Sequence, residues 1–417
     1  MKLTDREKGI LDGREGAAVQ IALSSLVDLA ELFGAEELID VSQAHIDATV
    51  YMVDAQIEFV ERLTDLGARV SVPSSLNAAS IDLKKPQALR APETLLEKCR
   101  QLEKAYLKMG ATPTWTCAPY QQGMMPRFGE RIAWGESNAI VFANSIIGAR
   151  TIRYGDLMDI CSAITGKAPN FSMYLTENRR AQVLIKLDKL PKRMLNDPAV
   201  TPLLGYIIGE LAEDRIAAVQ GIAPQDTDGL KALCAAAASS GAVSLIHIVG
   251  QTPEAQTLEM CLQGAKPKEV FAINAKMIRN TAEKLSTAKS DHVDLVAVGC
   301  PHFSFAEFHR LARLMNSRKV HGSVAFWVFT SRTVYGWIET CGLLEGFTRC
   351  GVVIFSDGCP LEYPQESWSF HTAMSNSVKF ANYCYPQRGL DVVYAGLEDC
   401  VESAVNGRVC LKDNVWS

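Results

Sequence analysis

The sequence predicts an α/β fold with mostly parallel sheets, and three observations carry that expectation. The runs "VSLIHIVG", "VDLVAVG", "VAFWVFT" and "GVVIFSD" are short, apolar and rich in β-branched or aromatic residues, the composition of strands covered on both faces. Helical patterns alternate with such runs along the chain, the order expected of β-α-β units. Of the 417 residues, 48% are hydrophobic, which is enough for two or three cores rather than one.

Taken in order, Thr4-x-x-Glu7 has capping-box spacing and opens a first helix. "AAVQIALSSLVDLAELFG" predicts a second helix, stopped by Gly34. "ELIDVS" (37–42) then reads as a strand, "DAQIEFVERLTDLG" as an amphipathic helix closed by Gly67, and "ARVSVP" (68–73) as the next strand. These three make one parallel β-α-β unit. "NAIVFANS" begins a helix for which Ser137 and Asn138 are cap candidates. "SRTVYGWIETCGLLEG" is a helix following "VAFWVFT". No repeat or low-complexity linker divides the chain. "KLPKRMLNDPAVTP" (189–202) is the best candidate joint, giving approximate lobes 1–190 and 203–417.

Composition narrows the partners. Net charge is −5, with acids and bases interleaved, and no basic stripe points to nucleic acid. No apolar stretch approaches the roughly 18 residues that span a bilayer, and "MKLTDREKGI" is charged where a signal peptide is apolar. The expectation is a soluble, cytoplasmic protein with no nucleic-acid and no membrane partner. Twelve cysteines without a CxxC read as reduced thiols rather than a disulfide or zinc framework.

Sorted by predicted element, the cysteines divide. Cys99, Cys161, Cys234, Cys261, Cys341 and Cys400 fall in helical patterns, where a thiol is a small core hydrophobe. Cys384 and Cys410 stay unassigned. Cys117, Cys300 and Cys359 lie in "TWTCAPY", "VGCPHFS" and "FSDGCP", each just past an expected strand in a turn containing proline. In open α/β sheets, ligands bind beyond the carboxyl ends of strands. Three thiols delivered there, with no fourth, have the chemistry of an iron–sulfur cluster with one iron open. The alternative is that they merely fill turns.

Other polar residues share the expected edge. His45 follows "ELIDVS", and Ser74, Ser75 and Asn77 follow "ARVSVP". Ser137 and Asn138 stand at a helix start, where capping and anion binding are compatible. Arg153 and Asp156, in "RYGD", read either as an exposed ion pair or as an anion-binding cation with its acid neighbour. "HTAMSNSVKFANY" gathers His371, Ser375, Asn376, Ser377 and Lys379, which a solvated helix start explains equally well.

"TWTCAPY", "GERIAWGESNAIVFANSIIGARTIRYGDLMDICSAITG", "VAVGCPHFS", "FSDGCP" and "SNSVKFANY" together resemble aconitase X, a branch of the aconitase superfamily, from the first helix to about residue 385. The resemblance implies an aconitase-like, multi-lobed architecture without the swivelling domain. It also implies a hydro-lyase whose cluster is held by Cys117, Cys300 and Cys359. Two irons are favoured by that likeness, with a four-iron cluster as the alternative. Ser74, Ser75, Asn77, Ser137 and Asn138 are the substrate edge it implies, with His45 the catalytic candidate; Arg153, Asp156 and Lys379, read from the residues alone, complete the substrate-binding candidates. Ala48 departs from the family's His-Ile-Asp-Gly.

Two activities are associated with the resemblance. One dehydrates cis-3-hydroxy-L-proline to a pyrroline-2-carboxylate; the other dehydrates mevalonate 5-phosphate. The former is preferred, because only Arg127, Arg131, Arg150 and Arg153 lie near the motifs, and a phosphate calls for a cationic cluster. The resemblance further implies a small, swivel-domain subunit that supplies the base, with the substrate a small hydroxy acid. From another class, the chain would be a non-catalytic iron–sulfur redox or partner-binding subunit; a zinc scaffold is a third reading.

Overall fold

The computed structural model describes residues 1–364 and 369–412, and among them fourteen strands form four sheets. The first unit holds β1 (Leu38–Asp40), β2 (Ala44–Ile46), β3 (Ser74–Leu76), β4 (Ala133–Trp134) and β5 (Lys167–Pro169). β3, β2 and β4 form a parallel sheet, while β1 and β5 form an antiparallel pair. Thr4 and Glu7 do close a capping box on the helix Asp5–Leu11.

The second unit is a parallel sheet of β6 (Val183–Lys186), β7 (Ala217–Gln220), β8 (Ile246–Ile248) and β9 (Glu269–Ala272), in the order β8-β7-β6-β9. Its helices Val200–Ala212 and Thr227–Ser240 pack closely, for a reason written in small residues. A Cβ on Gly205 would overlap the Leu233 carbonyl, and one on Gly209 would overlap Ser240 Oγ and the Ala237 carbonyl.

The third unit holds β10 (Leu295–Val298), β11 (Ala325–Thr330), β12 (Val352–Ser356), β13 (Thr372–Ser375) and β14 (Asp391–Tyr394), all parallel, in the order β12-β11-β10-β13-β14. The chain therefore runs outward from β10 through β12 and returns to start β13 on the other side of β10. The point between β10 and β13 is a topological switch, where crevices open at the carboxyl ends of such sheets. No described helix is long and apolar enough to cross a membrane.

Several local expectations change. The parallel β-α-β unit is built from β2, the helix Asp54–Asp65 and β3; "ELIDVS" supplies β1, which pairs antiparallel with β5. "ARVSVP" is not a strand, and the strand begins at Ser74. His45 consequently lies inside β2, and Ser74 and Ser75 inside β3, rather than in following loops. The helix expected over "SRTVYGWIETCGLLEG" breaks at Gly342, where φ is +77°, into Arg332–Thr340 and Leu343–Cys350. Cys341 thus sits at a helix end and is exposed. Residues 189–202 run from beyond β6 into the helix Val200–Ala212, within the second unit.

Candidate active site

The switch point of the third unit carries two of the singled-out groups. Cys300 follows β10 directly, and Ser377 and Lys379 follow β13. Gly299 makes the first turn feasible: its φ is +99°, and a Cβ would overlap the Phe329 carbonyl. Only glycine accepts both conditions. Ser377 caps the helix Val378–Arg388 and donates to the Cys300 carbonyl, so the two turns are tied together.

Cys359 follows β12 after Asp357, whose backbone is left-handed (φ +67°) and whose carboxylate takes two 2.8 Å hydrogen bonds from Arg332. Its turn docks on the first unit through Cys359 N to the Ala79 carbonyl (2.9 Å) and Ala79 N to the Asp357 carbonyl (2.8 Å). Cys117 reaches the same region from a non-strand segment: Thr116 N donates to the Leu76 carbonyl at the end of β3 (3.1 Å), and Asn138 Nδ2 donates to the Cys117 carbonyl (2.8 Å).

His302 joins all three turns. Its backbone N–H donates to Cys117 Sγ (3.2 Å), its Nε2 meets the Gly358 carbonyl (2.8 Å), and its Nδ1 meets Thr116 Oγ1 (3.3 Å). A carbonyl only accepts, so Nε2 carries the proton and Nδ1 accepts from the Thr116 hydroxyl. Burial pushes this imidazole down to about 4. Three cysteines remote in sequence are thereby brought to one place.

The cysteine residues are half-buried, yet their thiols lie deep enough that burial is the largest influence on each. It pushes Cys117 up to about 12, with Glu136 adding to it while Lys379 and the His302 amide oppose. Cys359 is raised first by burial and then by the charges of Cys300, Glu362 and Cys117. Among the described residues, no three His, Cys, Asp or Glu side chains converge tightly enough to hold a single metal ion. An iron–sulfur cluster joins its irons through sulfide, so three cysteines can serve it without all converging on a single ion.

Beside the cysteines lies a buried ion pair. Lys379 Nζ is 2.7 Å from Glu136 Oε1 and 3.2 Å from Ser137 Oγ. Burial works against the ammonium, but Glu136 and the Cys300 and Cys117 thiols outweigh it and hold Lys379 above its ordinary value. Glu136, rather than Ser137 or Asn138, is the N-cap of the helix Ser137–Phe142, accepting from Ala139 N at 2.6 Å. Asn138 is instead wholly buried between Tyr120 and Cys117.

At the far side, His45 Nδ1 meets Ser75 Oγ at 2.8 Å, and burial pushes its imidazole down to about 4 against smaller pulls from Glu136, the Thr116 backbone and Asn77. Asn77 Nδ2 donates to Asp47, whose own N–H donates to Asp159 Oδ2 at 2.6 Å. Gly135 passes between the two acids, where any Cβ would overlap both. Among the buried side-chain atoms that close no hydrogen bond of good geometry are His45 Nε2, Asn77 Oδ1 and, on the ring packed edge-on against His45, Trp134 Nε1. Such atoms are rare in native proteins and mark places where a bound polar molecule or water belongs.

The remaining candidates are placed differently. Ser74 Oγ donates to the carbonyl of Val72, two residues back (2.8 Å). Arg153 donates to the carbonyls of Val243 (3.1 Å) and Gly241 (3.4 Å), so its guanidinium clamps the second unit. Asp156 is exposed and adds negative charge near Asp47 and Asp159. Sequence reasoning missed Glu136, Asp47, Asp159, Thr116 and His302. Glu136 and His302 stood within the quoted motifs, and "HIDA" already placed an acid two residues from His45.

Three family models match the chain: the aconitase X first domain over residues 1–177, the second over 181–283 and the third over 293–406. A cis-3-hydroxy-L-proline dehydratase of Pseudomonas aeruginosa is 41% identical over 96% of this chain and 70% of its own length. A phosphomevalonate dehydratase large subunit of Methanothermobacter thermautotrophicus is 35% identical over 93% of this chain and 95% of its own. The crystal structure of Thermococcus kodakaraensis aconitase X, in its holo-form, superposes with a TM-score of 0.88 at 32% identity, covering 97% of this chain and 100% of that one.

Proposed function

This chain belongs to the aconitase X family of dehydratases, and on that premise we propose that it is the large subunit of a hydro-lyase that converts cis-3-hydroxy-L-proline to a pyrroline-2-carboxylate. The observation that carries the proposal is the meeting of three cysteine turns at His302, beside the buried Lys379–Glu136 pair. Cys117, Cys300 and Cys359 would hold an iron–sulfur cluster, with two irons favoured. When bound, a cluster with an open iron supplies a Lewis acid for a departing hydroxyl.

The chain's own residues supply binding and proton control. Lys379 offers a charged donor to the substrate carboxylate, steadied by Glu136 and Ser137. His45 Nε2 and Asn77 Oδ1 close no hydrogen bond of good geometry within the protein and are the polar groups offered to a substrate beside the carboxyl ends of β2 and β3. Asn138 holds the Cys117 turn and is a positioning residue. The base that takes the α-proton comes from a small partner subunit carrying the swivelling domain. The relatives named as large subunits support such a partner, and the two dehydratases named for hydroxyproline extend beyond the 70% and 69% of their length matched here. A cytoplasmic setting, which keeps thiols reduced, suits twelve free cysteines.

The second substrate, mevalonate 5-phosphate, has the relatives named phosphomevalonate dehydratase in its favour. Against it, Arg150 is engaged by the Tyr174 carbonyl and Thr176, and Arg153 by Val243 and Gly241. The chain, reconstituted anaerobically with its small partner, is expected to consume cis-3-hydroxy-L-proline. Turnover of mevalonate 5-phosphate with hydroxyproline untouched overturns the substrate assignment.

A further inference from the structure

The second unit contributes no cysteine to the site, yet one of its side chains reaches the cysteine turns. Lys231, on the helix Thr227–Ser240, is 1% exposed. Its ammonium is shared among three acceptors: the His302 carbonyl (3.2 Å), Asp228 Oδ1 (3.1 Å) and Glu307 Oε2. A lysine has three N–H donors, so every one is used and the cation is fixed in direction.

Both carboxylates are themselves anchored on the segment after Cys300. Glu307 closes a capping box with Ser304, and Asp228 Oδ2 accepts from Ser304 Oγ at 2.8 Å. Lys231 also lines a small cavity together with Gly299, Cys300, Pro301 and Ser377. The residue whose carbonyl it grips, His302, is the one that touches the Cys117 and Cys359 turns.

We propose that Lys231 is a positioning residue for the cluster site: through the His302 carbonyl it holds the 300–304 turn in the register at which three thiols can serve one cluster. The proposal rests on the cluster assignment made above. Removing an outer partner of a metal ligand costs about 10–100-fold in metal retention or activity, and Lys231 stands one step outside the Cys300 turn.

The test is the rate at which the anaerobically reconstituted full chain loses iron to a chelator, read from its visible absorption. Lys231→Met/Glu307→Gln removes the cation and one carboxylate together, leaving only Asp228, whose side chain is 21% exposed. We expect iron loss at least tenfold faster than wild type, while the metal-free variant keeps its circular dichroism and melts within a few degrees of the metal-free parent. Loss within twofold of wild type in a folded variant overturns the positioning role and leaves the cluster assignment standing. A wild-type chain that takes up no iron overturns both. Should the double variant not fold, Lys231→Gln decides by the same tenfold and twofold limits.

Discussion

Lys379 is the side chain most exposed to a simple test. Its ammonium is paired with Glu136 and hydrogen-bonded to Ser137, on a side chain only 15% exposed. A charge-assisted hydrogen bond contributes about 1.5–3 kcal/mol, so Lys379→Met is expected to raise KM for the substrate about 10–100-fold, measured by steady-state kinetics on the reconstituted complex. An unchanged KM removes Lys379 from carboxylate binding. Asp159 offers a test of sign. Burial lifts its carboxyl to about 7, with the amides of Asp47 and Ile160 pulling the other way. Its unfolded value is near 3.9, so the folded state holds the proton more tightly. The resulting stabilisation is full below about pH 4 and is lost as pH rises to about 7. Urea unfolding of wild type and Asp159→Asn is expected to show wild type losing ground to the variant across that window, by up to about 1.4 kcal/mol per pH unit. A constant difference contradicts it. At this scale Cys300 and Cys359 were legible because Gly-Cys-Pro follows an apolar run. Asp159 and Glu136 were not, since an acid in a one-dimensional string looks like surface until its neighbours are known.

Elements decide where those side chains go. Strands β10 to β12 were legible as continuous apolar runs, and their carboxyl ends place Cys300 and Cys359 on one edge. The first unit was harder. Its strands are only two or three residues long, too short for periodicity to locate, so β1 was legible but β2, the strand carrying His45, was read as a loop. Cys117 carries no strand of its own; its turn hangs on β3 through Thr116, a long-range contact that local pattern does not contain. Helix packing in the second unit gives a sharper prediction. Gly209 is held against Ala237 and Ser240, where a methyl group has no room. Alanine favours helix by about 1 kcal/mol over glycine, but overpacking a closed interface costs about 1–3 kcal/mol. Gly209→Ala is therefore expected to lower stability rather than raise it, by up to about 2 kcal/mol in urea titration. A stabilised variant means that the two helices can part without cost.

Across the molecule, the candidate site belongs to no single unit. The first supplies His45, Asn77, Cys117 and Glu136, the third supplies Cys300, Cys359 and Lys379, and the second braces the Cys300 turn through Lys231. That division explains why the sequence pointed to an α/β chain and to the cysteines, yet not to their supports. Thr116, His302 and Lys231 act on one another across long stretches of chain, 71 residues from Lys231 to His302 and 186 from His302 to Thr116. Everything proposed about dehydration depends on one physical event, the gathering of three remote thiols around iron. Iron and acid-labile sulfide per chain, determined on anaerobically reconstituted wild type beside Cys117→Ser, Cys300→Ser and Cys359→Ser, report on that event directly. Wild type should carry a stoichiometric cluster and each serine variant should lose most of it. Equal iron and sulfide in all four proteins would contradict the assignment.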